Sequence, residues 1–145
     1  MIRIAHLISS LNTGGSEVML YRIVSRMDRS RFENSVITLT DGGQLAPLFT
    51  ESGTRILQLG MKRGSPSVPG FSTLIRELYR TRPMILQTWL YHSDLLGTLA
   101  GKLARVPAIA WNIRCSKTDE RYSRGLGGLV LKMSAALSSV PQVIV

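Results

Sequence analysis

Ile2-Arg3-Ile4-Ala5-His6-Leu7-Ile8 runs directly into Ser9-Ser10-Leu11-Asn12-Thr13-Gly14-Gly15-Ser16-Glu17. Leu20, Ile23, Val24 and Met27 then follow at the i, i+3, i+4, i+7 spacing of an amphipathic helix. The first stretch is apolar without alternation, the pattern of a strand covered on both faces. A strand, a glycine turn and a helix in immediate succession are the opening of a βαβ unit.

Outward from this stretch the pattern recurs. Ser35 to Leu39 reads as a strand closed by the turn Asp41-Gly42-Gly43, and Gln44 to Ser52 as a short helix ended by Gly53. Arg55 to Leu59 is a third strand. Gly60 to Gly70, with Gly64, Pro66 and Pro69, reads as the long loop. Phe71, Leu74, Ile75 and Leu78 mark a helical face that Pro83 ends, because proline restricts the residue before it. Met84 to Thr88 and Ala108 to Asn112 are further strands, separated by the helical spacing of Leu96, Leu99, Ala100 and Leu103. Leu126, Leu129, Val130, Met133 and Leu137 mark a last helix, and Pro141 introduces Val143-Ile144-Val145. Strands alternating with helices imply parallel pairing through right-handed crossovers. The expected fold class is α/β: a Rossmann-like, doubly wound parallel sheet of about six strands.

Composition narrows the class. A hydrophobic content of 44% in 145 residues supports one folded domain and excludes disorder. The single cysteine, Cys115, excludes an intramolecular disulfide and a cysteine metal cluster. The N-terminus lacks the basic start and cleavage site of a signal peptide. No apolar run reaches the ~20 residues that span a bilayer. The expected location is therefore the cytoplasm, with peripheral contact at the inner face of a membrane. The formal charge of +9 favours anionic partners. Arg76, Arg80 and Arg82 cluster at one helix end, and Arg114, Lys117, Arg121, Arg124 and Lys132 follow later. With little aromatic interleaving and no nucleic-acid motif, nucleic acid is not the expected partner. The segment Arg121 to Leu137 joins basic residues to an apolar face, which fits either a core-packed helix or contact with anionic lipid.

In such sheets ligands bind beyond the carboxyl ends of the strands, where strand order reverses. Four loops qualify: Ser9 to Ser16, Thr40 to Gly43, Thr88 to His92 and Trp111 to Lys117. The first joins Gly14-Gly15 to a helix N-terminus, a candidate cradle for phosphate or carboxylate. Its other reading is a tight turn with Ser16 as N-cap. It is neither GxGxxG nor GxxxxGK[ST], so dinucleotide and P-loop fingerprints are absent. The third loop carries Trp89, Tyr91 and His92, whose rings and polar tips suit a sugar. Its other reading is packing by Trp89 and Leu90, with Ser93 or Asp94 as a helix cap. Arg114 ends the fifth strand, where it would pair with phosphate or carboxylate, or lie on the surface. Cys115 has no triad-like spacing and is not read as a nucleophile. His6, inside the first strand, is structural and requires a partner.

Ile4 to Glu17, with its Gly14-Gly15-Ser16-Glu17, resembles the opening of the family-4 glycosyltransferases, in which Gly-Gly-Ala-Glu opens the first helix. The segments Arg82-Pro83-Met84-Ile85-Leu86-Gln87-Thr88-Trp89-Leu90-Tyr91-His92-Ser93-Asp94-Leu95-Leu96-Gly97 and Val106 to Ser116 resemble the same family, in the same order. The resemblance implies the N-terminal, acceptor-side domain of a GT-B fold. It implies a retaining transfer from a nucleotide-sugar to a glycan or lipid-linked acceptor, with no resident cofactor and no metal. It further implies that Gly14, Gly15, Trp89, His92 and Arg114 bind substrate or diphosphate. Many members carry a histidine after the fifth strand, where Arg114 stands at or beside that position, so no catalytic residue is assigned. Residues 1–145 are expected to lack the C-terminal nucleotide-sugar domain and to transfer no sugar alone.

Two other readings compete. A nucleotide-sugar epimerase shares the two-domain fold. A non-catalytic Rossmann-like module of the receiver type would need acidic residues after the first strand, where Ser9-Ser10 stands, and an aspartate after the third, where Gly60-Met61-Lys62 stands.

Overall fold

The computed structural model describes residues 1–62, 67–113 and 126–144. Among the described residues eleven elements alternate: β1 (Ile2–Ile8), α1 (Gly15–Arg26), β2 (Phe32–Thr38), α2 (Ala46–Glu51), β3 (Arg55–Gln58), α3 (Val68–Thr81), β4 (Ile85–Trp89), α4 (Tyr91–Leu103), β5 (Ala108–Asn112), α5 (Leu126–Ala136) and β6 (Val143–Ile144). The strands form one sheet in the order β3-β2-β1-β4-β5-β6, every pair parallel. Against the expected six or so strands, five are of ordinary length, and the sixth is a two-residue pairing at the edge.

Hydrophobic burial is divided between the two faces. Leu20 and Val24 of α1 and Phe49 of α2 pack with Ile8, Val36 and Trp89. Leu74 and Leu78 of α3 and Ala100 of α4 pack with Leu7, Ile37 and Leu86. Alternate residues of one strand thus serve opposite layers, which explains why Ile4, Ala5, Leu7 and Ile8 of β1 are apolar on both faces. Each fully buried Leu or Ile contributes about 1.5–3 kcal/mol relative to exposure.

Several boundaries differ from the sequence reading. β2 begins three residues early, at Phe32. The segment expected as loop up to Gly70 already belongs to α3, which starts at Val68. Pro69 occupies the first turn, where its missing N–H costs nothing, and the Ser67 hydroxyl accepts from the Gly70 N–H at 3.2 Å. Arg82, at φ 45, closes α3 in the left-handed region before Pro83. The expected loop between β4 and α4 is reduced to Leu90.

The reversal of strand order falls between β1 and β4. Ile8 lies opposite Thr38 on one side and Trp89 on the other, and Trp89 opposite Asn112. The carboxyl ends of four strands therefore finish level, and the segments that follow them share one edge of the sheet.

Candidate ligand crevice

The segment after β1 is held by the segment after β2. Leu39 N–H donates to Ile8 O at 3.0 Å, Thr40 N–H to Ser9 O at 3.1 Å, and Leu45 N–H to Leu11 O at 2.9 Å. The Thr13 hydroxyl donates to Gln44 Oε1 at 2.5 Å. Leu11 is fully buried and anchors the segment from below. Gly43, at φ 116, passes so close that a Cβ would lie 2.5 Å from the Leu11 carbonyl carbon. Only glycine satisfies both the backbone angle and this approach.

This anchoring fixes the start of α1. Gly14, not Ser16, is the N-cap, with extended backbone at φ −151. Lacking a side chain, Gly14 gives the first-turn N–H groups no capping oxygen. The Glu17 carboxylate folds back here: a Cβ on Gly14 would lie 2.4 Å from Glu17 Oε2. Glu17 is only 9% exposed, so it sets a negative charge against the positive end of the helix dipole. Gly15 differs, because a Cβ there would meet no atom within 4 Å. The helix start is closed at Gly14 and open at Gly15.

The junction between β4 and α4 is strained. Leu90, at φ 71 and ψ 157, occupies a region that glycine alone adopts readily, at a cost of about 1–3 kcal/mol. Hydrogen bonds hold it: Asp94 N–H donates to Leu90 O at 2.9 Å, and Leu90 N–H to Asn112 O at 3.4 Å. Beneath it the Thr88 hydroxyl donates to Asp94 Oδ1 at 2.5 Å. Burial pushes the Asp94 carboxyl up to about 7, against the opposing pull of the Thr88 hydrogen bond. The Trp111 indole N–H donates to Thr98 Oγ1 at 2.8 Å, further tying β5 to α4. Ser93 Oγ lies 3.4 Å from Ser9 Oγ, joining this junction to the segment after β1.

The residues expected at the site separate into three groups. Gly14, Gly15 and His92 lie in the first turns of α1 and α4, the helices that follow the adjacent strands β1 and β4. Tyr91 and His92 are half-buried there, each interacting with neighbours. Trp89 departs from expectation. It is the last residue of β4, fully buried among Ile8, Leu11 and Leu20, so its ring is not offered to a ligand. Its Nε1 has no hydrogen-bond partner among the described residues, and its ring lies 6.4 Å from that of His6. A strand end at the sheet's centre points alternate side chains into the covering layers, and residue 89 is one of these. Arg114, Cys115 and the rest of the segment to Lys117 lie outside the described residues.

His6 has the partner it requires: its Nε2–H donates to Asn34 Oδ1 at 3.0 Å. Burial pushes its imidazole down to about 4, with hydrogen bonds to Asn34 and Gln87 opposing. Asp94, Thr88, Asn112 and Leu90 were not singled out as a group by sequence. Ser93-Asp94 read as a helix cap, but Leu90 is the N-cap and both residues are buried. Their only signal was a polar pair facing Thr88 across a short junction. Among the described residues no group of three or more His, Cys, Asp or Glu could hold a metal ion.

No family model and no curated protein matches the sequence. Solved structures match the fold. HepE from Anabaena, in complex with UDP, superposes over 99% of this chain at a TM-score of 0.77 with 17% identity. MurG from Acinetobacter baumannii covers 99% at 0.70 with 14% identity. A UDP-N-acetylglucosamine 2-epimerase covers 99% at 0.65 with 12% identity. The chain spans 37%, 40% and 41% of those three chains respectively. The domain is a Rossmann-like α/β unit of the GT-B type.

Proposed function

We propose that this chain is the N-terminal, acceptor-side domain of a retaining glycosyltransferase that transfers sugar from a nucleotide-sugar to a glycan or lipid-linked acceptor in the cytoplasm. The observation that carries the reading is the start of α1. Gly15 opens onto free space at the β1/β4 reversal, in a segment held from below by Leu11 and Gly43. An N–H-lined helix start with no Cβ in the way suits a diphosphate or a sugar hydroxyl. The matched solved structures include one bound to UDP and one bound to UDP and glucose.

On this reading His92 supplies a polar contact from the start of α4, and Arg114 one from the segment after β5. The donor nucleotide and the groups that stabilise the leaving diphosphate belong to a second domain, so catalysis requires both halves held together. The donor is a substrate, and no resident cofactor or metal is invoked.

The test has two arms. Residues 1–145 are incubated with a panel of nucleotide-sugars and lipid-linked or glycan acceptors; turnover by this chain alone overturns the half-enzyme reading. The full-length polypeptide, in the presence of EDTA, is expected to transfer sugar with retained anomeric configuration. An epimerised nucleotide-sugar without acceptor dependence would instead favour the epimerase reading, to which the 2-epimerase match lends support.

A further inference from the structure

The edge of the sheet opposite the crevice holds a cavity of about 200 Å³, where β1, β2 and β3 begin and α3 ends. Strand register builds it. Arg3 lies opposite Glu33, and Ser35 opposite Arg55. Alternation turns these four side chains to the face that Ala5, Leu7, Ile37 and Leu57 share with α3. Arg80, from the last turn of α3, completes the lining. The cavity is smaller than the roughly 300–1,000 Å³ of pockets for drug-sized molecules, so its occupant is small.

The arginines are fixed by the protein itself. Glu77, 9% exposed, accepts from Arg55 Nη1 at 2.7 Å and from Arg80 Nε and Nη2 at 3.1 and 3.0 Å. Arg3 donates through Nε and Nη2 to Arg82 O, each at 3.1 Å. That contact covers a carbonyl at the negative end of the α3 dipole. A guanidinium has more N–H donors than any of these contacts uses, so all three keep donors to spare. Neutralising Glu77 needs only one arginine, yet two converge on it and a third is clamped beside the same cavity. Glu33, exposed, makes no ion pair among the described residues. Three cations therefore face two carboxylates, and the pocket carries net positive charge. The side chains of Arg55 and Arg80 are 49% and 59% exposed, so solvent reaches it.

The geometry points to this cavity as a binding site for a small, soluble phosphate-bearing anion. Arg55 and Arg80 pair with phosphate oxygens through the N–H groups that Glu77 leaves free, Arg3 adds charge from β1, and the Ser35 hydroxyl donates from the strand beneath. Three forks from three elements suit a tetrahedral anion with several acceptor oxygens better than a planar carboxylate, which one fork saturates. A phosphate held there ties the starts of β1 and β3 to the end of α3. The inference is independent of the glycosyltransferase reading, because it uses no residue of the crevice.

The test is titration of the 145-residue chain with inorganic phosphate, against chloride and acetate at matched ionic strength. It is read by heteronuclear NMR of backbone amides and arginine side chains, and by thermal unfolding. Saturable shifts are expected at Arg3, Ser35, Arg55 and Arg80, with an unfolding midpoint that rises with phosphate. Arg55→Gln is expected to weaken phosphate binding at least about tenfold, the size of one charge-assisted hydrogen bond. Glu33→Gln is expected to strengthen it about threefold, by removing a like charge a few ångströms from the anion. Glu33 is exposed, so its variant folds and keeps the inference falsifiable if Arg55→Gln does not. Absence of saturable phosphate binding overturns the proposal. So does an equal response to chloride or acetate, a set of shifts confined to Gly14 and Gly15, or an unchanged phosphate affinity in either folded variant.

Discussion

The Thr88 hydroxyl and the Asp94 carboxyl meet at 2.5 Å beneath the β4–α4 junction, tying the end of a central strand to the first turn of the helix that follows it. Asp94 is 1% exposed, and its carboxyl is pushed up to about 7 by burial. The same contact supports the Leu90 turn, because the Asp94 N–H bonds to the Leu90 carbonyl.

This makes stability depend on pH in a defined direction. Asp94 binds its proton in the folded state up to about 7 but releases it near 3.8 when unfolded. Its contribution is fully present below pH 3.8 and is lost as pH rises through about 7. Asp94→Asn keeps an acceptor for Thr88 and removes the titration. Denaturant unfolding is expected to show the variant gaining on the parent protein between about pH 4 and pH 7, with a slope of at most roughly 1.4 kcal/mol per pH step of one. A constant difference across that range would refute the assignment.

His6 acts in the opposite sense. Its imidazole, pushed down to about 4 from 6.5, stays neutral in the fold but takes a proton when unfolded. Its contribution is present above pH 6.5 and is lost as pH falls through about 4. His6→Gln is expected to lower stability at neutral pH but to abolish the acid-side loss. In the Asp94→Asn background the remaining His6 makes stability rise with pH across this window. In the His6→Gln background the remaining Asp94 makes it fall.

Two glycines near the crevice separate folding from binding. Gly43→Ala forces a Cβ to 2.5 Å from the Leu11 backbone at a positive φ, and is expected to cost about 2 kcal/mol or more in thermal or denaturant unfolding. Gly15→Ala meets nothing within 4 Å and is expected to change stability by less than about 0.5 kcal/mol. If the proposed crevice is correct, Gly15→Ala in the full-length protein raises the apparent KM for donor or acceptor. A Gly15→Ala enzyme with unaltered kinetics would remove Gly15 from the site.

Gly97→Ala tests the seating of α4. The added methyl would fall 2.4 Å from Thr88 Cγ2 and 3.0 Å from Leu7 Cδ2, so the helix must lift. Overpacking of this kind costs about 1–3 kcal/mol. The displacement also loads the Thr88–Asp94 contact, so the midpoint of the Asp94 titration is expected to move in this variant, read by the pH dependence of unfolding.

Much of the architecture was legible in the order of residues, because hydrophobic period and turn residues are local. The mainly apolar, non-alternating run of β1, the spacing of Leu20, Val24 and Met27, and the glycine and proline punctuation dictate a parallel α/β sheet. They also place Gly14-Gly15 beyond the carboxyl end of β1, since strand polarity decides which segments share that edge of the sheet. Boundaries set by capping were less legible: Ser67 and Pro69 start α3 inside what reads as loop.

What only the tertiary structure decided is which side chains face a ligand and which face the core. Trp89 and His92 stand three residues apart in one polar-aromatic segment, yet one is sealed against α1 while the other lies at the start of α4. The strained Leu90 between them turns the chain, and its angle is held by Asp94 one helical turn on and by Asn112 from the neighbouring strand. The seating of α4 is equally invisible to local pattern, because Leu99 and Leu103 at helical spacing read as core but are exposed, while Gly97 and Gly101 meet the sheet. Periodicity dictates that a helix forms, but the direction it faces is set by whichever face packs most closely, and that is a property of the assembled layers.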